Sequence, residues 1–264
     1  MLNCSEGLEF ACRRLDQCRD LVAAADCLIE VGRHIGMPHP AVIDDYSSDR
    51  LLTTEDGRAL ASVLGWQADY FEKWLSKKLY LVSPIAAVCR VSTRPFAWDA
   101  ATMAAAIEQT QRRAVDWPLT PLHGFFGGIT VPIHLPRGRT GSVSWYSREP
   151  NLDTRVVLAE FEFWIRVAGH RFMDLVYAIR AERAPPPSAH APLSERELEC
   201  LAWAAVGRTD AEIAALIYRS PTTARFHIDN AVRKLGARNR TQAVAMAAEL
   251  GLIHPLDRSD RRLD

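Results

Sequence analysis

Lysine is scarce in this chain. Of its 32 basic residues only Lys73, Lys77, Lys78 and Lys234 are lysines, and 32 acidic residues balance the total to a net charge of zero. Any contact with nucleic acid must therefore come from a local patch, because no global field draws the chain to a polyanion. Long apolar runs are missing too. The longest stretch without Asp, Glu, Lys or Arg, Trp117 to Pro136, is broken by Pro118, Pro121, Pro132, Gly124, Gly127 and Gly128, so it cannot make a membrane helix of about 20 apolar residues. Met1 to Phe10 carries Glu6 and Glu9, where a signal peptide needs a positive start and an apolar run. The expected location is the cytoplasm, with no membrane contact.

Catalytic and metal signatures are equally sparse. Cysteines stand at 4, 12, 18, 27, 89 and 200 without a Cys-x-x-Cys pair, which excludes a zinc knuckle or a dithiol redox motif. In the cytoplasm disulfides are not expected, and the cysteines read as small buried hydrophobes. The eight histidines have no metal-ligand spacing. Neither Gly-x-Ser-x-Gly, a phosphate-binding G-x-x-x-x-G-K-[ST] nor a paired-carboxylate site occurs. No catalytic residue, metal or cofactor is expected, and the chain does not read as an enzyme. What is present is a core: 48% of the 264 residues are hydrophobic and 24% charged, and the length is enough for one large domain or two ordinary ones.

The clearest boundary is Ala181 to Pro192, AERAPPPSAHAP. Three consecutive prolines offer no donors to a helix or sheet and favour a stiff, extended linker. Residues 1–180 form the expected first domain and 193–264 the second. In the first, Cys12 to Ile35 reads as one amphipathic helix and Ala61 to Lys78 as another. Ile129 to Ile133 and Ser142 to Tyr146 read as strands joined by the hairpin turn Pro136-Arg-Gly-Arg-Thr-Gly. Asp153 to Arg183 reads as a long helix with Val156, Phe163, Val167, Phe172 and Val176 on its apolar side. The expected class is α+β: an N-terminal α-β-α sandwich followed by an all-α domain of four short helices.

Helix ends in the second domain are spelled out. Ser194 to Glu197 and Thr209 to Glu212 are Ser/Thr-x-x-Glu capping boxes. Ser220-Pro221 sets an N-cap before a first-turn proline, and Gly236 and Gly251 stop the third and fourth helices. The short connection from Ile217 to Pro221 fits a helix-turn-helix. Charge is polarised here: acids dominate Leu193 to Tyr218, whereas bases dominate Arg219 to Arg240. The third helix buries Ala224, Ile228, Val232 and Leu235. It leaves Thr222, Thr223, Arg225, Phe226, His227, Asp229 and Arg233 outward or at its flanks. Short hydroxyls and arginines at a helix start suit the major groove, and Lys234, Arg238 and Arg240 would hold phosphates.

Leu193-Ser-Glu-Arg-Glu197, Leu201, Gly207, Glu212-Ile-Ala214, Ser220, Thr223, His227, Asn230, Lys234-Leu-Gly236, Asn239-Arg240 and Ala243-Val244 closely resemble the LuxR-type helix-turn-helix. Ala224 departs from the family's usual Val. The resemblance implies binding to double-stranded DNA, and two-fold symmetry then implies a homodimer on a palindromic operator. That output module follows several input domains. The chain is too short for the large-ATPase form. A phospho-receiver needs an acidic pair, which Asp44-Asp45 imitates, and a later lysine, which is missing between Lys78 and Lys234.

Ser83-Pro84, Ser92 to Trp98, Gly124 to Gly128 followed by Ile129 to Pro132, and the Arg137-Gly138 turn resemble the autoinducer-binding domain of LuxR-type quorum-sensing regulators. This implies a small-molecule signal pocket, lined by Trp66, Tyr70, Trp74, Ser83, Pro84, Trp98, Gly128, Thr130 and Ser144. Phe125 and Phe126 fit either pocket or core. Three residues depart at polar contacts. Trp66 replaces the family Tyr that meets the amide carbonyl of an acyl-homoserine lactone. Tyr70 replaces the Trp that donates to the lactone carbonyl, and Ser83 replaces the Asp that accepts the amide N–H. Trp74, in place of a further Tyr, is bulkier. Two readings remain: a sensor of a small apolar signal, either an acyl-homoserine lactone or a non-standard analogue, and a signal-independent regulator whose N-terminal domain only dimerises.

Overall fold

The computed structural model describes residues 4–103, 105, 124–183 and 192–253. The chain divides into two compact units, the N-terminal one described as far as Arg183 and the C-terminal one from Pro192. Most of the proline-rich stretch read as a linker lies outside the described residues.

In the N-terminal unit a four-stranded antiparallel sheet has the order β1-β4-β3-β2. Its strands are β1 (His39–Ile43), β2 (Phe96–Asp99), β3 (Gly127–Leu135) and β4 (Arg139–Ser147). The hairpin between β3 and β4 turns through Pro136–Gly138, inside the expected turn. On one face lie α1 (Cys4–Leu15), α2 (Leu21–His34) and α7 (Thr154–Arg183). On the other lie α3 (Leu60–Val63), α4 (Ala68–Ser76), α5 (Leu79–Val82) and α6 (Pro84–Val91). The layering is an α-β-α sandwich. Period-two side-chain alternation divides its interior: Ile129, Val131, Val143 and Trp145 are fully buried, and Trp145 donates from Nε1 to the Leu28 carbonyl of α2 at 2.9 Å.

Two helix expectations need correction. The stretch Cys12 to Ile35 is not one helix. α1 ends at Leu15, and Asp20 starts α2 by accepting from the Ala23 N–H at 2.8 Å. Ala61 to Lys78 is likewise divided, because Gly65 adopts φ +86°, a conformation that excludes a continuing helix. Trp66 therefore precedes α4 and does not share a helical face with Tyr70 and Trp74. The long helix runs as expected, but its buried stripe is Val157, Ile165, Ala168, Phe172, Met173 and Val176, whereas Val156 and Phe163 are exposed. Gly169 lets α7 lie close on the sheet, since a Cβ there would meet Val131 at 3.3 Å.

The C-terminal unit comprises α8 (Glu195–Ala205), α9 (Asp210–Leu216), α10 (Pro221–Leu235) and α11 (Arg240–Glu249). Both capping boxes are formed, and Gly236 stops α10 at φ +67°. Cys200, Ile213, Ala214, Ile217, Ala224 and Ile228 make one apolar cluster; Leu201, Ala231, Leu235, Ala243 and Ala247 make another. Among the described residues, no helix is long and apolar enough to cross a membrane.

Gly128 illustrates what the sheet demands of its sequence. It pairs with Trp98 across β2 and β3, and the indole lies so close that a Cβ would meet its Cζ2 at 2.6 Å and the Trp145 carbonyl oxygen at 2.8 Å. Gly128→Ala should destabilise the N-terminal unit by about 1–3 kcal/mol, read as a lower urea midpoint for that unit's transition. An unchanged midpoint would show that the indole moves aside freely.

Candidate ligand cavity and nucleic-acid interface

The second face of β4 carries hydroxyls. Ser142, Ser144 and Tyr146 are buried there and alternate with Val143 and Trp145. With Ala41 and Ile43 of β1 they floor a cavity that Tyr70 and Trp74 of α4, Ser83 and Ile85 close from the helical side, and that Tyr46 lines from the turn after β1. Its volume is about 20 Å³, room for a single water-sized group. Tyr46 and Ser142 share a hydroxyl–hydroxyl bond of 2.7 Å, and Thr130 and Ser144 one of 3.0 Å. Trp98 donates from Nε1 to Thr130 Oγ1 at 3.3 Å. Burial pushes the Tyr46, Tyr70 and Tyr146 hydroxyls above their usual range, so they stay neutral donors at physiological pH. Among the described residues that line the cavity, none is acidic.

An aromatic wall stands beside it. Trp66 packs on Tyr70 and Phe125, with ring centroids 4.8 and 5.1 Å apart, and meets Tyr146 edge-on at 5.4 Å. Trp98 also meets Tyr146, at 5.3 Å. Phe125, which the sequence leaves open between core and pocket, is thus a buried part of this wall.

Four of the expected pocket residues, Tyr70, Trp74, Ser83 and Ser144, line the cavity. Trp66, Trp98 and Thr130 support it from the second rank, Gly128 makes room for Trp98, and Pro84 is the first residue of α6. Two polar roles are altered. The Trp66 Nε1–H donates to the Pro40 carbonyl at 2.6 Å. Ser83 Oγ accepts from the Ala86 N–H at 3.2 Å as the N-cap of α6. Tyr46, Ser142 and Tyr146 escaped the sequence reading. Period two from Ser144 marks Ser142 and Tyr146, but no local signal marks Tyr46.

In the C-terminal unit, Ser220 caps α10 by accepting from the Thr223 N–H at 3.2 Å, and its hydroxyl also bonds that of Thr223 at 2.8 Å. Tyr218, at φ +54°, turns the chain between α9 and α10. Thr222, Arg225, Arg233 and Arg238 are exposed, and His227 is half-buried. Arg233 donates to Asn230 Oδ1 at 2.6 Å. Two expected phosphate contacts are engaged elsewhere. Lys234 Nζ bonds Glu197 Oε2 at 2.8 Å and the Pro192 carbonyl at 3.1 Å. Arg240 bonds Asp210 Oδ1 at 2.5 Å and the Arg208 carbonyl. Both long side chains tie helices together across about thirty or more residues of chain. Among the described residues, no group of three His, Cys, Asp or Glu side chains could hold a metal ion.

One unit thus holds a hydroxyl-lined cavity and the other a capped helix-turn-helix. The autoinducer binding domain family matches residues 25–170, and the luxR family of bacterial regulatory proteins matches residues 191–247. The quorum sensing-dependent transcriptional regulator RpaR of Rhodopseudomonas palustris is 32% identical over 198 residues, 72% of this chain and 73% of its own length. The transcriptional activator BjaR1 of Bradyrhizobium diazoefficiens is 30% identical over 210 residues, 77% and 81% respectively. Escherichia coli SdiA shares the fold, with a TM-score of 0.58 at 18% identity, covering 97% of this chain and 100% of that one. The chain belongs to the LuxR family of quorum-sensing transcriptional regulators with an autoinducer-binding domain, a family of regulators and not of enzymes.

The Lys234–Glu197 pair carries a stability prediction. Burial alone would raise the Glu197 carboxyl, but hydrogen bonds from Lys234 and Ser194 hold it below its ordinary value of 4.5. A depressed carboxylate contributes stability above its unfolded pKa and loses it as pH falls through the folded one. The C-terminal unit should therefore weaken progressively below about pH 4.5. Lys234→Ala should cost it about 1–3 kcal/mol at neutral pH, read as faster amide exchange in α8 and α10 of the full chain. Unchanged exchange would show that the pair contributes nothing to the stability of the unit.

Proposed function

We propose that this regulator holds a small apolar signal in the β4 cavity and, as a cytoplasmic homodimer, binds a palindromic operator through α10. The signal is not a simple straight-chain acyl-homoserine lactone. The observation that carries this reading is a cavity wall of hydroxyls without a carboxylate. A buried Asp in place of Ser83 would demand an N–H donor from its ligand, whereas a hydroxyl both donates and accepts. The Trp66 N–H, spent on Pro40, gives no donor for the amide carbonyl. An ester or an aromatic ligand without an amide fits such a wall. SdiA is also known in complex with octanoyl-rac-glycerol, an acyl ligand without an amide.

Calorimetry should show that common straight-chain lactones bind the full chain about ten- to thirtyfold more weakly than they bind Ser83→Asp/Tyr70→Trp, the ratio expected for a charged acceptor replacing a neutral one. Asp caps helices as well as Ser does, so the start of α6 survives the change. Nanomolar binding of a common lactone by the unmodified chain would refute the reading.

One observation favours the signal-independent alternative: the aromatic side chains leave only about 20 Å³ between them. Under that alternative no small molecule changes DNA affinity.

For the homodimer the candidate interface is α7, with Phe163, Trp164 and Val167: Phe163 is 66% exposed and the other two are half-buried, whereas Phe172 on the same helix is fully buried and cannot serve. Phe163→Glu should turn a sedimenting dimer into a monomer. A monomer for the unmodified chain, free and on a palindromic site, would exclude the dimer. At the DNA, Arg225→Ala should weaken specific binding by about 1–3 kcal/mol and relax sequence preference. Equal losses on specific and random duplexes would remove α10 from the base-reading role.

A further inference from the structure

The outward stripe of α10 carries two side chains that neutralise no phosphate. At about 100° per residue, Thr222, Arg225, Phe226, Asp229 and Arg233 share one arc of the helix, opposite the buried Ala224, Ile228, Ala231 and Leu235. All five are exposed. Phe226, 60% exposed, belongs to neither apolar cluster of the unit, and its ring meets the edge of His227 with centroids 5.8 Å apart. Asp229 is equally open to solvent, with Oδ2 3.8 Å from Arg225 Nε. On a helix that approaches a polyanion, an aspartate is repelled by phosphates and a phenyl ring gains nothing from them.

We propose that Phe226 and Asp229 are specificity-determining residues that read base edges: Phe226 the C5-methyl of a thymine, and Asp229 the N4 amino group of a cytosine close to the base read by Arg225, for which guanine is the usual arginine partner. This rests on the DNA-binding role of α10 proposed above. The thymine methyl is the apolar group that the major groove offers a phenyl ring. Cytosine presents an amino donor to a carboxylate, whereas adenine sets its acceptor N7 beside its amino group and so repels one. Arg225 and Asp229 are one helical turn apart, about 5.4 Å, which corresponds to one or two base-pair steps of about 3.4 Å.

Both side chains lie off the core, so substitution there leaves the fold intact. The test selects duplex DNA from a random pool with the full chain, with Phe226→Ala and with Asp229→Asn in parallel. The unmodified chain should recover a defined site. Phe226→Ala should lose the preference for thymine at one position. Deoxyuridine at that position, which removes only the methyl, should weaken the unmodified chain about three- to fivefold and leave Phe226→Ala unaffected. Asp229→Asn should lose the preference for cytosine at one position, while its affinity for random duplex rises. Identical preferences in all three chains would overturn the inference, as would an Asp229→Asn chain that binds every sequence more tightly and still prefers cytosine. If the unmodified chain recovers no site at all, the DNA-binding reading fails and takes this inference with it.

Discussion

The two faces of β4 are the constraint on which the N-terminal unit depends. Val143 and Trp145 point into the layer of α1, α2 and α7, and Ser142, Ser144 and Tyr146 point into the cavity. The β3–β4 register sets Thr130 against Ser144 and Val131 against Val143. A slip of one residue would bury the hydroxyls in the aliphatic core and drive Trp145 into the cavity. The Trp145–Leu28 hydrogen bond and the Thr130–Ser144 and Tyr46–Ser142 pairs oppose that slip from both sides. Sheet stability and cavity chemistry therefore have one cause. The hydroxyls that a ligand would meet are held in place by the packing on the sheet's other face.

The C-terminal unit works by a different rule. Its helix ends are fixed locally, by caps within three residues of the groups they satisfy. Its helices are then tied to one another by two long cationic side chains. Lys234 joins α10 to the start of α8, and Arg240 joins α11 to α9. Charge that sequence alone assigns to DNA is thus partly consumed inside the fold, which leaves the outward stripe from Thr222 to Arg233 to meet a partner.

Local signals were legible and distant ones were not. The capping boxes, Ser220-Pro221, Gly236 and the alternation of Ile129 to Ile133 are statements about neighbouring residues, and the elements follow them. The division between α1 and α2 was hidden, because the apolar period continues through Asp16 to Asp20 and only the capping geometry of Asp20 breaks it. The same holds at Gly65, where one positive φ detaches Trp66 from the helix of Tyr70 and Trp74. The apolar face of α7 was misjudged at Val156 and Phe163, since apolar residues surround that helix and the sheet alone decides which are buried. In the cavity, Tyr70, Trp74, Ser83 and Ser144 were found through family resemblance. Tyr46, whose partner Ser142 lies 96 residues away, has no sequence signature.

We propose the hydroxyl face of β4 as a ligand site and not merely a packed interior. Mass spectrometry of a solvent extract from the purified full chain tests it most directly, with Ser144→Phe as the filled-cavity control. A small apolar molecule without an amide N–H should be recovered in near-stoichiometric amount from the unmodified chain and lost from the control. An extract that holds no such molecule, or one that yields equal amounts from both proteins, would contradict it.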